Sequence, residues 1–165
     1  MEQIILNETQ VNQKCLRIAY QILETNMENA KIYLIGINGN GFLFAQKLSE
    51  VLKAICDKEI LLGELTLNKK NPLEEASSSI ELSDLKNNAL ILIDDVLQSG
   101  TTLMYGVRYF LSVPLANFKT AVLVDRNHKK YPVKADFKGL SLSTSNHSNV
   151  EVRFDYPNAQ AILLQ

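Results

Sequence analysis

The sequence is poor in residues that build covalent or metal frameworks, with two cysteines and two histidines in 165 residues. Cys15 falls within a helical apolar stripe and Cys56 beside an apolar run, and neither has a partner at metal-ligand spacing, so both are expected as buried thiols. His128 stands in a turn with Lys129 and Lys130, and His147 in a polar loop among serines; with no metal-binding partner nearby, both are expected at the surface. No apolar stretch approaches the length needed to cross a bilayer, and the start, MEQIILNETQ, lacks the basic residues and apolar run of a signal peptide. A cytoplasmic location is the expectation. An excess of one charge is also missing: 17 Lys and Arg face 18 Asp and Glu, for a net charge of -1. That balance excludes strong nonspecific attraction to nucleic acid or anionic membrane but leaves local basic patches open.

What is present is an ordinary globular composition, 46% hydrophobic and 21% charged, in a chain long enough for one substantial core and too short for two ordinary domains. One domain over residues 1–165 is expected. From Val11, the apolar residues Cys15, Ile18, Ala19, Ile22 and Leu23 recur at helical spacing, and Asn7 with Gln10 can form a capping box ahead of them. Lys31 to Ile35 is a compact apolar run ending in GINGNG, after which Phe42, Ala45, Leu48, Leu52 and Ile55 restore the helical period. The same strand, glycine loop, helix unit returns at Ala89 to Ile93, followed by Asp94, Asp95, a small-residue turn and a helix marked by Leu103, Val107, Phe110 and Leu111. With apolar runs at Ile60 to Leu67 and Lys119 to Val124, continuous as in strands covered on both faces, the pattern predicts an α/β fold built on a parallel sheet flanked by helices. Asn68 to Asp84 has no clear period and reads as a long loop, a candidate lid. Beyond Asp125 the texture turns basic and turn-rich, then alternates at Val150, Val152 and Phe154, predicting a small C-terminal hood mainly from residues 126–165.

Chemistry concentrates in Leu90 to Thr102, LILIDDVLQSGTT. In an open parallel sheet, ligands sit at the carboxyl ends of the strands, where Asp94 and Asp95 fall. Two adjacent carboxylates at a buried strand end repel each other and call for a cation or hydroxyl donors; a sugar diol with Mg²⁺ supplies both. Ser99, Gly100, Thr101 and Thr102 then lead into a helix, offering backbone N–H groups, hydroxyls and the positive end of a helix dipole as a phosphate cup. The sequence has no GxxxxGK[ST], and Gly36, Gly39 and Gly41 have the wrong spacing for GxGxxG, so neither an ordinary P-loop nor a dinucleotide fingerprint is present. The ligand suggested is a ribose 5-phosphate unit.

This segment resembles the phosphoribosyl pyrophosphate (PRPP) motif of type I phosphoribosyltransferases. LNETQVNQKCLRIAYQILE, GINGNGF, LLGEL and AVLVDRNHKKYPVKADFKG extend the resemblance over nearly the whole chain, to the PyrR branch of bifunctional pyrimidine-operon regulators and uracil phosphoribosyltransferases. The resemblance implies the type I phosphoribosyltransferase fold, a homo-oligomer of two or more copies, Mg²⁺, and transfer of phosphoribosyl from PRPP to uracil, giving UMP and pyrophosphate. Residue by residue it assigns Asp94 and Asp95 to the ribose hydroxyls, Gln98 and Ser99 to Thr102 to PRPP and its 5-phosphate, and Asn38, Gly39 and Asn40 to pyrophosphate. Lys69 and Lys70 in the lid are placed to close over the leaving group. Where such proteins carry a Thr-Arg pair and a basic phosphate-turn residue, this chain has Gly39, Asn40 and Thr101, so two expected cations are missing.

Gln98 stands where purine-type relatives place a proton-exchanging Asp, and a Gln cannot act as that base, which favours pyrimidine. Arg126 and Lys134 are the candidate nucleobase or RNA residues; Lys134-Ala135-Asp136-Phe137 also looks like the oxopurine enzymes' base-binding segment, keeping oxopurine transfer as a minor alternative. Lys129, Lys130, Lys134 and Lys138 fall where PyrR contributes to messenger binding, with Leu140 at a position expected to be basic. A noncatalytic UMP- or PRPP-sensing RNA-binding regulator of pyrimidine genes is therefore the main alternative.

Overall fold

The computed structural model describes residues 2–143, 148–154 and 159–164. Its main sheet has six strands in the order β4-β3-β2-β5-β6-β7. These are β2 (Lys31–Ile37), β3 (Glu59–Thr66), β4 (Ser77–Ser78), β5 (Ala89–Leu97), β6 (Asn117–Asp125) and β7 (Phe137–Ser141). Five of them run parallel, and the two-residue β4 pairs antiparallel with β3 at the edge. Among the described residues four helices accompany it: α1 (Glu8–Thr25), α2 (Asn40–Ile55), the short α3 (Leu82–Leu85) and α4 (Thr101–Phe110). A second sheet, in the order β1-β9-β8, is antiparallel and joins β1 (Glu2–Leu6), β8 (Asn149–Arg153) and β9 (Gln160–Leu164).

The continuous apolar character of the central strands follows from burial of both faces. Along β2, Ile32 and Leu34 meet α1 and α2 through Ile18, Ile22, Phe44 and Leu48, while Tyr33, Ile35 and Ile37 pack toward Leu85, Leu103 and Phe110 of α3 and α4. β5 and β6 divide the same way, Ile91, Ile93, Ala121 and Leu123 to one side and Leu90, Leu92 and Val122 to the other. Each such aliphatic side chain contributes roughly 1.5–3 kcal/mol by leaving water. α1 begins where the capping box predicts: the Asn7 side chain accepts from the Gln10 N–H at 2.9 Å, and the Gln10 side chain accepts from the Asn7 N–H at 2.9 Å.

The structure differs from the sequence expectation at four places. The small sheet takes one of its three strands, β1, from the N-terminus, and β7 of the basic tail lies in the main sheet beside β6. The stretch 68–84 contains the edge strand β4 and the start of α3. β5 continues through the two aspartates to Leu97, because β6 pairs with it as far as Leu97–Asp125.

Chain order fixes where a ligand can enter. From β2 the chain crosses through α2 to β3 on one side, whereas β5 lies on the other, so β2 and β5 flank the reversal point. The crevice at the carboxyl ends of these two strands is the topological switch point.

Candidate active site

The β2–β5 ladder ends at Gly36–Ile93, whereas β5 stays paired with β6 for several residues more. Asp94 and Asp95 therefore stand where β2 and β5 part. Asp94 is 5% exposed, and its carboxylate lies against the first turn of α2, where a β-carbon at Gly41 would be 2.9 Å from Oδ1. It accepts the backbone N–H of half-buried Asp95 at 3.0 Å. Burial, then the charge of Asp95, pushes the Asp94 carboxyl well above the usual range, and Lys69 opposes the shift. The site thus holds a carboxylate pair that gains from a cation or from hydroxyl donors.

The phosphate turn is preorganised by its own side chains. Gly100 adopts φ 82, a left-handed conformation natural to glycine, and α4 starts at the next residue. Ser99 Oγ accepts from the Thr101 N–H at 3.3 Å and lies 2.9 Å from Thr101 Oγ1. The neighbouring loop locks the turn from outside: the N–H groups of Lys130 and Tyr131 donate to Ser99 O at 2.7 and 3.2 Å. Val133 covers Gly100 so closely that a β-carbon there would sit 2.6 Å from its Cγ1.

Acids and turn face one cavity of about 670 Å³, lined by Asp94, Asp95, Gln98, Ser99, Gly100 and Thr102. Its other walls carry Lys69 from the lid, Arg126, His128 and Lys130 from the loop after β6, and Val150 from β8. Arg126 is 1% exposed; its backbone N–H donates to Leu97 O at 2.9 Å and its guanidinium donates to Ser148 O. Burial pulls its pKa below the ordinary guanidinium value.

Other expected site residues lie elsewhere. Thr101 is turned to Ser99, off the cavity wall. Asn38, Gly39 and Asn40 do not line the cavity either. Asn38 Oδ1 accepts from the Leu67 N–H at 3.1 Å, tying this loop to the foot of the lid, and Asn40 Nδ2 donates to Val152 O at 2.9 Å, tying α2 to β8. Gly39, at φ 87, has open space around the position a β-carbon would take. Lys134 lies outside the cavity, its side chain 79% exposed and its Nζ 3.4 Å from Asp136 Oδ1. Lys70 is exposed and off the wall, while the lid is braced by Asn68 and Asn71, which donate to Glu74 at 2.9 and 3.1 Å. His147 lies outside the described residues.

Sequence reasoning missed His128, Lys130 and Val150 as wall residues. The alternation at Val150 and Val152 was a signal for a strand but not for what it faced. Among the described residues, no group of three or more His, Cys, Asp or Glu is placed to hold a metal ion by itself. No helix among them is long and apolar enough to cross a membrane.

A family model described as the phosphoribosyl transferase domain matches residues 2–157. The chain belongs to the phosphoribosyltransferase family. Within it, this phosphoribosyltransferase is 34% identical over 162 residues to the bifunctional protein PyrR of Pediococcus pentosaceus, covering 92% of each chain. It is 31% identical over 159 residues to the bifunctional protein PyrR of Bacillus cereus, covering 90% of this chain and 88% of that one. It is thus a PyrR-like phosphoribosyltransferase.

Solved structures agree on the fold. A hypoxanthine phosphoribosyltransferase of Trypanosoma cruzi superposes with a TM-score of 0.79 at 15% identity, covering 99% of this chain and 96% of that one. One from Staphylococcus aureus gives 0.77 at 18% identity, covering 98% and 91%.

Proposed function

We propose that this phosphoribosyltransferase joins uracil to the ribose of PRPP, giving UMP and pyrophosphate. The observation that carries the reading is the meeting of buried Asp94 and half-buried Asp95 with Ser99, Gly100 and Thr102 on one cavity wall. Asp94 and Asp95 hold the ribose hydroxyls, and the N–H groups and hydroxyls at the start of α4 hold the 5-phosphate. N1 of uracil bonds to C1, the C1–O bond to pyrophosphate breaks with its electron pair going to the pyrophosphate oxygen, and the N1 proton passes to water or to the released pyrophosphate. No covalent protein nucleophile is needed, so the protein contributes position and electrostatics. Lys69, on the wall and close enough to Asp94 to act on its charge, is the lid cation placed to meet the leaving pyrophosphate.

The donor set fits Mg²⁺ shared with substrate. Two carboxylates cannot complete an octahedral shell, and burial beside Asp95 makes Asp94 resist ionisation despite Lys69, so PRPP oxygens and water would supply the rest. When bound, the ion neutralises charge on the pyrophosphate. Gln98, on the cavity wall with an amide that cannot act as a base, supports a pyrimidine, and the position of Lys134 outside the cavity weighs against an oxopurine. The family resemblance supports a homo-oligomer, which sedimentation equilibrium reads directly.

A second reading, a nucleotide-sensing RNA-binding regulator, is favoured by the loop Asn38–Asn40, which has no cation and whose asparagines are engaged in structural hydrogen bonds. Against it, Lys129 and Lys138 lie 3.8 and 3.4 Å from Asp125, and Lys134 lies 3.4 Å from Asp136, which offsets their attraction for RNA phosphates. The test is an isotope-labelled assay of uracil, hypoxanthine and guanine with PRPP and Mg²⁺, with Asp95→Asn as control. UMP formation by the wild type alone supports the enzyme. Binding of UMP or PRPP without conversion of any base removes it, and a salt-titrated RNA-binding measurement then decides the regulator.

A further inference from the structure

The phosphate turn has no cation of its own: from Leu97 to Leu103 the chain carries no Lys or Arg. The loop after β6 brings one to it from outside. Lys130 lines the same cavity as Ser99, Gly100 and Thr102. The loop that carries it is fixed on the turn by three contacts. The Lys130 N–H donates to Ser99 O at 2.7 Å, Val133 closes on Gly100, and the Tyr131 ring packs edge-on to Tyr105 of α4 with centroids 6.2 Å apart. A residue held this way presents its ammonium from a constant origin, on a flexible stem long enough to reach a group seated in the turn.

Lys130 also differs from the lysines around it. Lys129 and Lys138 reach the fully buried Asp125, and Lys134 reaches Asp136. Among the described residues Lys130 makes no salt bridge, although Asp125 lies only five positions before it. Asp125 accepts the Asn127 N–H at 2.9 Å, and Asn127 sits at φ 58, a sharp turn that sends the following residues toward the cavity.

We infer that Lys130 is the cation of the 5-phosphate site, standing in from a neighbouring loop for the charge that Thr101 does not carry. The inference rests on the ribose-phosphate reading of the cavity and adds a binding residue to it. The lysines of the basic segment then divide into two roles, with Lys129, Lys134 and Lys138 bracing carboxylates and Lys130 serving the ligand. The ligand class is a nucleoside 5-monophosphate or PRPP, recognised at its terminal phosphate rather than at its base.

The test is calorimetric titration of UMP against uridine, and of IMP against inosine, into wild type, Lys130→Gln, Lys130→Arg and Lys129→Gln, with circular dichroism confirming the fold of each. Loss of one charge-assisted phosphate contact is expected to weaken nucleotide binding about tenfold in Lys130→Gln. Lys130→Arg is expected to restore most of it, Lys129→Gln to change it less than twofold, and nucleoside binding to stay constant throughout. A nucleotide affinity in Lys130→Gln within twofold of wild type overturns the inference alone. Equal weakening of nucleoside and nucleotide overturns it too, because the residue would then act on the cavity as a whole. A wild type that binds neither nucleotide overturns the site reading, and this inference with it.

Discussion

Two loops of this phosphoribosyltransferase share a plan and differ in what they can do. Each leaves a central strand, turns at a positive-φ glycine and starts a helix: Gly39 at φ 87 before α2, and Gly100 at φ 82 before α4. At Gly100 the flanking side chains stabilise the turn itself, Ser99 on Thr101 within it and the Lys130–Val133 loop over it, and Ser99, Gly100 and Thr102 line the cavity. At Gly39 the flanking asparagines reach away, Asn38 to Leu67 and Asn40 to Val152, so that loop joins the lid and the small sheet to the core. A positive-φ glycine ahead of a helix is therefore present twice, with ψ -132 at Gly39 and ψ -1 at Gly100, but only the second is locked in place as part of the cavity wall. A helix start becomes a site when its surroundings hold it and aim it.

Substitutions can widen or close this contrast. The largest effect is expected from Asp95→Asn, beside the locked turn: at constant fold, turnover of PRPP falls on the order of 100-fold or more, the scale of losing a group that stabilises transition-state charge. Initial rates with labelled uracil read it. Next is Gly100→Ala, which meets both left-handed strain and the Val133 methyl; together they are expected to remove about 2–4 kcal/mol, measured by urea unfolding.

Third is Asp94→Asn. Because the folded-state pKa of Asp94 is raised, the native state binds more protons than the unfolded chain above the ordinary carboxylate value of 3.8. The ligand-free protein should accordingly lose stability as pH rises from there through the raised pKa. Asp94→Asn is expected to flatten that slope and raise ligand-free stability at pH 7 in unfolding curves taken across pH. The smallest effect is expected from Gly39→Ala, where φ 87 and ψ -132 strain a side chain but nothing crowds it: about 1–3 kcal/mol from backbone strain alone, below the loss at Gly100. Equal losses at the two glycines would remove the distinction between a locked and an open loop.

Local patterns were legible in the sequence. The Asn7–Gln10 capping box, the α1 stripe and the two-faced strands follow from spacing of a few residues, and each appears in the structure. The aspartates and the small-residue turn were readable because strand end, carboxylates and phosphate cup are contiguous in the chain. What stayed hidden depends on contacts far apart in sequence. β1 takes its place by pairing Glu2 with Leu164, and no local period in EQIIL announces that partner. Likewise, four lysines look alike in RNHKKYPVKADFKG; only the folded positions of Asp125 and Asp136 show which of them are paired and which faces the cavity. The asparagines of GINGNG gave no sign that their partners would be Leu67 and Val152.

The most direct test is a crystal structure with UMP bound. The expected result is the 5-phosphate on the N–H groups and hydroxyls between Ser99 and Thr102, with the ribose hydroxyls on Asp94 and Asp95. A nucleotide whose phosphate sits elsewhere, leaving that turn and both carboxylates untouched, would contradict the assignment of this cavity to a ribose phosphate.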